Sequence, residues 1–111
     1  DGQTRDVVVV DPPAFIKRKK DYRSGVTAYQ RINQLAMLLL KRDGFLVSCS
    51  CSHHLSTADL LAAIQRAARH VDRFVQVVEI GGQSADHPQH PAMPETSYLK
   101  ALFCRVSVAS G

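Results

Sequence analysis

The chain has 111 residues, enough for one domain and too few for two. Hydrophobic residues make up 45% of it and charged ones 22%, the balance of a soluble globular protein, and no apolar run approaches the ~20 residues of a membrane span. The net charge of +4 is mild, but Lys17, Arg18, Lys19, Lys20 and Arg23 crowd one short segment. The opening Asp-Gly-Gln-Thr-Arg is polar and unlike a signal peptide, and with no initiating Met the chain is expected to be a piece of a longer one.

Val7–Val10 is a run of four valines, the pattern of a parallel strand covered on both faces. From Asp11 to Gly25 the composition is that of a polar, basic loop. A helix is expected from about Thr27 to Arg42. Thr27 and Gln30 have capping-box spacing, and Tyr29, Ile32, Leu35, Ala36 and Leu39 recur at helical spacing, with Lys41 and Arg42 suiting the C-terminal dipole and Gly44 as the stop. Phe45–Ser50 reads as a second buried strand. Ser56-Thr57-Ala58-Asp59 is another capping box, opening a helix to about His70 whose buried stripe is Leu60, Ile64, Ala67, Ala68 and Val71. Phe74–Ile80 and Tyr98–Val108 complete the strands, separated by a Gly-, His- and Pro-containing loop from Gly81 to Pro94. Strands joined by helices build a parallel sheet, and the last connection has no helix, so the final strand is expected to be antiparallel.

Chemistry concentrates at two strand ends. In open α/β sheets, ligands bind at the carboxyl ends of the strands. Asp11, Pro12, Pro13 and Phe15 follow the valine strand directly. The prolines stiffen the turn and have no N–H, Asp11 offers a carboxylate, and Phe15 offers a π-face. That set suits a nucleobase, read by edge hydrogen bonds and stacking. The basic run beside it, with Tyr22 interleaved, adds phosphate-seeking charge. The plainer reading is a strand-terminating turn with Phe15 in the core, followed by a solvated charged loop.

The second end is Ser48-Cys49-Ser50-Cys51-Ser52-His53-His54. Alternation puts Cys49 and Cys51 on one face, too close for an unstrained disulfide. Cys51 is nearer the cleft and just before a helix start, where a thiol can serve as a nucleophile. Cys49 and Cys104 read as small buried hydrophobes. There is no C-x-x-C pair, and His53, His54, His87 and His90 lack carboxylate or Cys partners at ligand spacing, so no metal is expected. Three cysteines without a framework point to a reducing, cytoplasmic setting. Residue type alone assigns no role to Glu95 or Lys100.

"DVVVVDPPAF", "GFLVSCSCSHH" and "HPAMPETSYLK" together resemble the C-terminal half of the catalytic domain of S-adenosylmethionine-dependent RNA methyltransferases, closest to the bacterial group making 5-methylcytosine in large-subunit ribosomal RNA. The resemblance covers nearly the whole chain. It implies an α/β, Rossmann-like class I methyltransferase fold, of which this chain holds about four strands and two main helices, with the antiparallel last strand inserted between its two predecessors. It implies that Asp11, Pro12, Pro13 and Phe15 hold the target base, that Cys51 is the nucleophile, and that the partner is ribosomal RNA. S-adenosylmethionine is the implied co-substrate, with Asp11 its only contact here, because the family's Gly-rich loop and ribose-binding acid are missing. Weak or no binding of S-adenosylmethionine by the chain alone is therefore expected. So is self-association through a bared Val7–Val10 edge. Two other readings stay open: an amino-methylating enzyme acting on guanine or adenine, which would need no thiol, and a non-catalytic RNA-binding module using the basic loop.

Overall fold

The computed structural model describes residues 5–52, 54–82 and 99–108. Its elements are β1 (Arg5–Val10), a 3-10 turn (Lys19–Asp21), α1 (Tyr22–Leu39), β2 (Leu40–Ser50), α2 (Thr57–His70), β3 (Arg73–Gly82) and β4 (Lys100–Val108). They form one four-stranded sheet in the order β1-β2-β4-β3. β1 runs parallel to β2, pairing Val7 with Phe45 through Val10 with Ser48. β4 is antiparallel to both of its neighbours and separates β2 from β3, as the methyltransferase likeness implies.

Alternation along the strands decides where the core lies. In β2, Gly44, Leu46, Ser48 and Ser50 are buried, while Phe45, Val47 and Cys49 between them are half-exposed. β4 repeats this with Leu102, Cys104 and Val106 buried. The buried face receives α1 and α2, which pack against each other. Their contribution is Tyr29, Ala36 and Met37 from α1 and Leu60, Ala63, Ile64, Ala67 and Ala68 from α2. On the other face, no helix among the described residues covers Val7 and Val9, and both are more than half exposed.

The second helix follows its sequence pattern closely. Ser56 is the N-cap, its hydroxyl accepting the Asp59 N–H at 3.0 Å, and the last turn ends at His70. The first helix departs from it. α1 begins at Tyr22, inside the stretch expected to be loop, and Thr27 is an interior residue whose hydroxyl donates back to the Arg23 carbonyl at 3.1 Å. Gly25 explains the early start. A Cβ there would collide with Ile16 Cγ1, so the missing side chain lets Ile16 lie against the first turn of α1, fully buried. The Tyr22 hydroxyl adds a 2.6 Å bond to Asp59, which ties that turn to the start of α2 and raises the Tyr22 pKa, with desolvation a smaller cause.

α1 also ends sooner than its sequence suggested. Leu40 is already extended, so Lys41, Arg42 and Gly44 belong to β2 rather than to a helix terminus. Lys41 pairs with Asp6 at 3.0 Å across the strands. Gly44 is a point of close approach: a Cβ would stand 3.1 Å from the Asp6 carbonyl and 2.7 Å from Leu40, where the β1–β2 register shifts. Two of the residues that recur at helical spacing in α1, Leu35 and Leu39, are exposed, Leu35 at 64%. They border a shallow apolar hollow with Val9, Pro12 and Ile32 on the β1 side.

Gly25→Ala is predicted to displace Ile16 and destabilise the protein by about 1–3 kcal/mol through overpacking. Denaturant unfolding of wild type and variant checks this; equal midpoints would show that the turn is not held by that contact.

Candidate functional site

β1 and β2 run parallel and adjacent, so their carboxyl ends open onto one edge. Asp11 follows Val10 and is exposed, and Cys51 follows Ser50 and is exposed. The structure therefore places both expected chemical groups at neighbouring strand ends. Pro12 is buried and lines the hollow beside Ile32 and Ala36, while Pro13 is exposed. Phe15 is half-buried. Its ring meets Tyr29 edge-on, with centroids 4.9 Å apart and planes at 72°, a favourable geometry that fixes its orientation. The expected stacking residue is thus partly engaged by the core.

The two strand-end loops are joined by a buried polar chain that sequence reasoning missed. The Ser52 hydroxyl donates to the Ile16 carbonyl at 2.7 Å. The Ser52 N–H donates to Ser50 Oγ at 3.2 Å, and the Ser50 hydroxyl donates to Tyr29 Oη at 2.9 Å. Asn33, one turn on, gives its side-chain N–H to the Tyr29 carbonyl at 2.7 Å. Ser48, Ser50, Ser52 and Asn33 are all buried. The available signal was serine recurring at alternate positions on the core-facing side of β2, where apolar residues are the rule. Such a recurrence calls for buried hydroxyl partners.

The cysteines occupy three environments. Cys104 is buried in β4, and burial pushes its thiol up to about 11. Cys49 is half-buried, and desolvation, then the Asp11 carboxylate, raise its pKa as well. Cys51 lies beyond the last paired residue of β2 and is open to solvent. Lys100, the first residue of β4, pairs in register with Ser50, and its ammonium donates to the Ser52 carbonyl at 2.8 Å.

Lys17, Arg18, Lys19, Lys20 and Arg23 are all exposed, and Arg18 makes a 3.5 Å ion pair with Asp21. The basic run begins one residue after Ile16, so the Ser52–Ile16 bond anchors its root beside the strand ends. Among the described residues no group of three His, Cys, Asp or Glu side chains could hold a metal, and no helix is long and apolar enough to cross a membrane. His53, His87, His90, Glu95 and Tyr98 lie outside the described residues, as does most of the Gly81–Pro94 loop. Gly81 and Gly82 continue β3, paired with Ala101 and Lys100, and do not form a phosphate-cradling turn.

No protein-family model matches the chain. It is 39% identical over 105 residues to the ribosomal RNA large subunit methyltransferase I of Cronobacter sakazakii, a match covering 95% of this chain and 26% of that protein. To the protein of the same name from Shigella dysenteriae it is 43% identical over 108 residues, covering 96% of this chain and 27% of that one. The chain thus spans about a quarter of the length of these relatives. Among solved structures, a protein described as a methyltransferase and complexed with SAH superposes with a TM-score of 0.69 at 17% identity, over 92% of this chain and 26% of that one. A Streptococcus mutans protein described as a SAM-dependent methyltransferase gives 0.67 at 14% identity, over 92% of this chain and 25% of that one. The fold is therefore the α/β Rossmann-like fold of these methyltransferases, here as four strands and two helices.

Alkylation by iodoacetamide at neutral pH is predicted to reach Cys51 first, Cys49 later and Cys104 last, following exposure and the raised thiols of the latter two. Peptide fragmentation after timed quenching reads the order. Labelling of Cys49 ahead of Cys51 would contradict the site geometry.

Proposed function

We propose that this chain is the C-terminal part of the catalytic domain of an enzyme that transfers a methyl group from S-adenosylmethionine to a base of large-subunit ribosomal RNA. The favoured target atom is carbon 5 of cytosine. The observation that carries this reading is the juxtaposition of Asp11 and Cys51 at adjacent parallel strand ends, with their loops tied through Ser52 and Ile16. The sequence likeness to proteins named for ribosomal RNA methylation supports the substrate class.

The described residues fit the base better than the methyl donor. No glycine-rich turn opens a helix among them, and Asp11 is the one polar group here suited to face the donor. The rest of the enzyme supplies that half of the site. S-adenosylmethionine brings an electrophilic methyl on a sulfonium, and this chain makes the base able to accept it. The Cys51 sulfur adds to carbon 6, and the electron pair of the 5,6 double bond moves so that carbon 5 becomes nucleophilic. After carbon 5 is methylated it gives up its proton to a base. The freed pair re-forms the double bond, the carbon–sulfur bond breaks, and the thiolate returns. Asp11 hydrogen-bonds the ring nitrogen or amine and stabilises charge developing on the ring.

Phe15 presents the part of its ring not engaged by Tyr29, and the exposed run Lys17–Lys20 with Arg23 binds the RNA backbone. Such an enzyme works in the cytoplasm, where its three free cysteines stay reduced.

The test uses the full natural chain, methyl-labelled S-adenosylmethionine and unmodified ribosomal RNA, comparing wild type with Cys51→Ala. Label is expected in 5-methylcytidine, falling at least about a hundredfold in the variant, as loss of a covalent nucleophile does. Label on an exocyclic amine that survives the mutation would hand the site to the amino-methylating reading. Salt-sensitive RNA binding with no label would leave an RNA-binding module.

The 111-residue chain by itself presents β1 as a sheet edge with Val7 and Val9 more than half exposed. We expect it to self-associate through that edge. Sedimentation at micromolar concentration reads this, and a monomer there would count against it.

A further inference from the structure

Phe15 and Cys51 each stand one residue before an end of the same hydrogen bond. The Ser52 hydroxyl meets the Ile16 carbonyl at 2.7 Å, so the two backbones that carry Phe15 and Cys51 are held side by side. A second link reaches the same pair through Tyr29 of α1, which is fully buried. Its ring meets the Phe15 ring edge-on at 4.9 Å, and its oxygen accepts the Ser50 hydroxyl at 2.9 Å. Ser50 Oγ in turn receives the Ser52 N–H at 3.2 Å. The contacts close a ring that runs from Phe15 through Ile16, Ser52, Ser50 and Tyr29 back to Phe15. One side chain therefore touches the residue proposed to stack the base and the residue just before the proposed nucleophile.

Packing alone does not call for this arrangement. Ser48, Ser50, Ser52 and Asn33 are buried where apolar side chains would pack, and among the described residues Ser48 Oγ and Asn33 Oδ1 have no hydrogen-bond partner. A buried polar set left partly unmade costs stability, whereas apolar groups of the same shape can replace both partners of a bond with little loss. What the polar set supplies is a fixed geometry. A phenol suits the junction because it offers an aromatic ring to Phe15 and an oxygen to Ser50 at once. Phenylalanine would keep the first contact and lose the second.

We propose that Tyr29 is a positioning residue for methyl transfer: by holding Phe15 with its ring and Ser50 with its oxygen, it keeps the base platform and Cys51 at one fixed separation. This rests on the reading of Cys51 as the nucleophile and Phe15 as the stacking residue. It adds to that reading a buried helix residue with no part in the chemistry itself. Attack of sulfur on carbon 6 needs the two atoms about 3–3.5 Å apart, and a misplacement of about 1 Å can cost on the order of a hundredfold in rate.

The test compares wild type, Tyr29→Phe, Ser52→Ala and the double variant of the full natural chain. Three quantities are read: the single-turnover rate of methyl transfer at saturating ribosomal RNA, the half-saturating RNA concentration, and the rate of Cys51 alkylation by iodoacetamide. Each single variant is expected to lose roughly tenfold in transfer rate, with RNA half-saturation within about twofold of wild type. Alkylation of Cys51 is expected to stay within about twofold, because a small reagent needs no alignment with a base. The double variant is expected to resemble the slower single one, since both bonds belong to one ring. Unchanged transfer in Tyr29→Phe would overturn the proposal, and so would a loss matched by an equal loss of alkylation. A rise in half-saturating RNA alone, or effects that simply multiply in the double variant, would overturn it too. Should Tyr29→Phe fail to fold, Ser50→Ala breaks the same bond from its other end. Cys51→Ala, measured alongside, keeps the two readings apart. Transfer that survives it sinks the proposed function, whereas transfer lost with it but untouched in Tyr29→Phe sinks this inference alone.

Discussion

Between the Ser52 hydroxyl and the Ile16 carbonyl there are 2.7 Å, and both groups lie out of solvent. Leaving a buried donor or acceptor unmade costs on the order of 1–3 kcal/mol, so such a bond resists opening even though its net contribution when formed is smaller. Here it joins residues 36 positions apart and fixes the turn after β1 to the turn after β2. The aromatic side of the same arrangement runs through Tyr29, which receives the Ser50 hydroxyl on its oxygen and the edge contact with Phe15 on its ring. The placement of the proposed base-holding loop relative to the proposed nucleophile depends on this one cluster. Both loops project from paired strands, and the cluster ties their tips into a common frame.

Cys49 and Cys51 show how little distance separates a structural thiol from a chemical one. Two residues apart along one strand direction, they share a face by alternation. Cys49 is still inside the ladder, paired in register with Ala101. Cys51 comes just after the last pairing, where the backbone leaves the sheet and the side chain meets solvent. Burial and the Asp11 carboxylate work against an anion at the first position. At the second the side chain is open to solvent and outside the ladder. Position at the end of the ladder, more than residue type, separates their chemistry.

Much of the architecture could be read from sequence because it rests on local patterns. Valine runs, the Ser56–Asp59 cap and the spacing of Leu60, Ile64 and Ala67 all act within one element, and all three appear in the structure. The antiparallel direction of β4 followed from the helix-free last connection and its place between β2 and β3 from family likeness, and both are seen. What failed depended on contacts distant in sequence. The start of α1 is set by Ile16 docking over Gly25 and by Tyr22 reaching Asp59, neither visible as periodicity. Leu35 and Leu39 have the right helical spacing, which located the helix, yet both are more than half exposed among the described residues. The strand-end positions of Asp11 and Cys51 were legible from the sequence. The bond from Lys100 to the Ser52 carbonyl was not, because only the β2–β4 register brings the two together.

That register has a temporal side. β4 is the last described strand in the chain, yet it occupies an interior position, and among the described residues it is the only sheet partner of β3. As the polypeptide is synthesised, β1, α1 and β2 can assemble, while β3 emerges with no strand beside it. The sheet closes only when residues 100–108 arrive and slot between β2 and β3. The same event delivers Lys100 to Ser52. Closure of the described sheet and arrival of the Lys100 ammonium at the Ser52 carbonyl are thus one step.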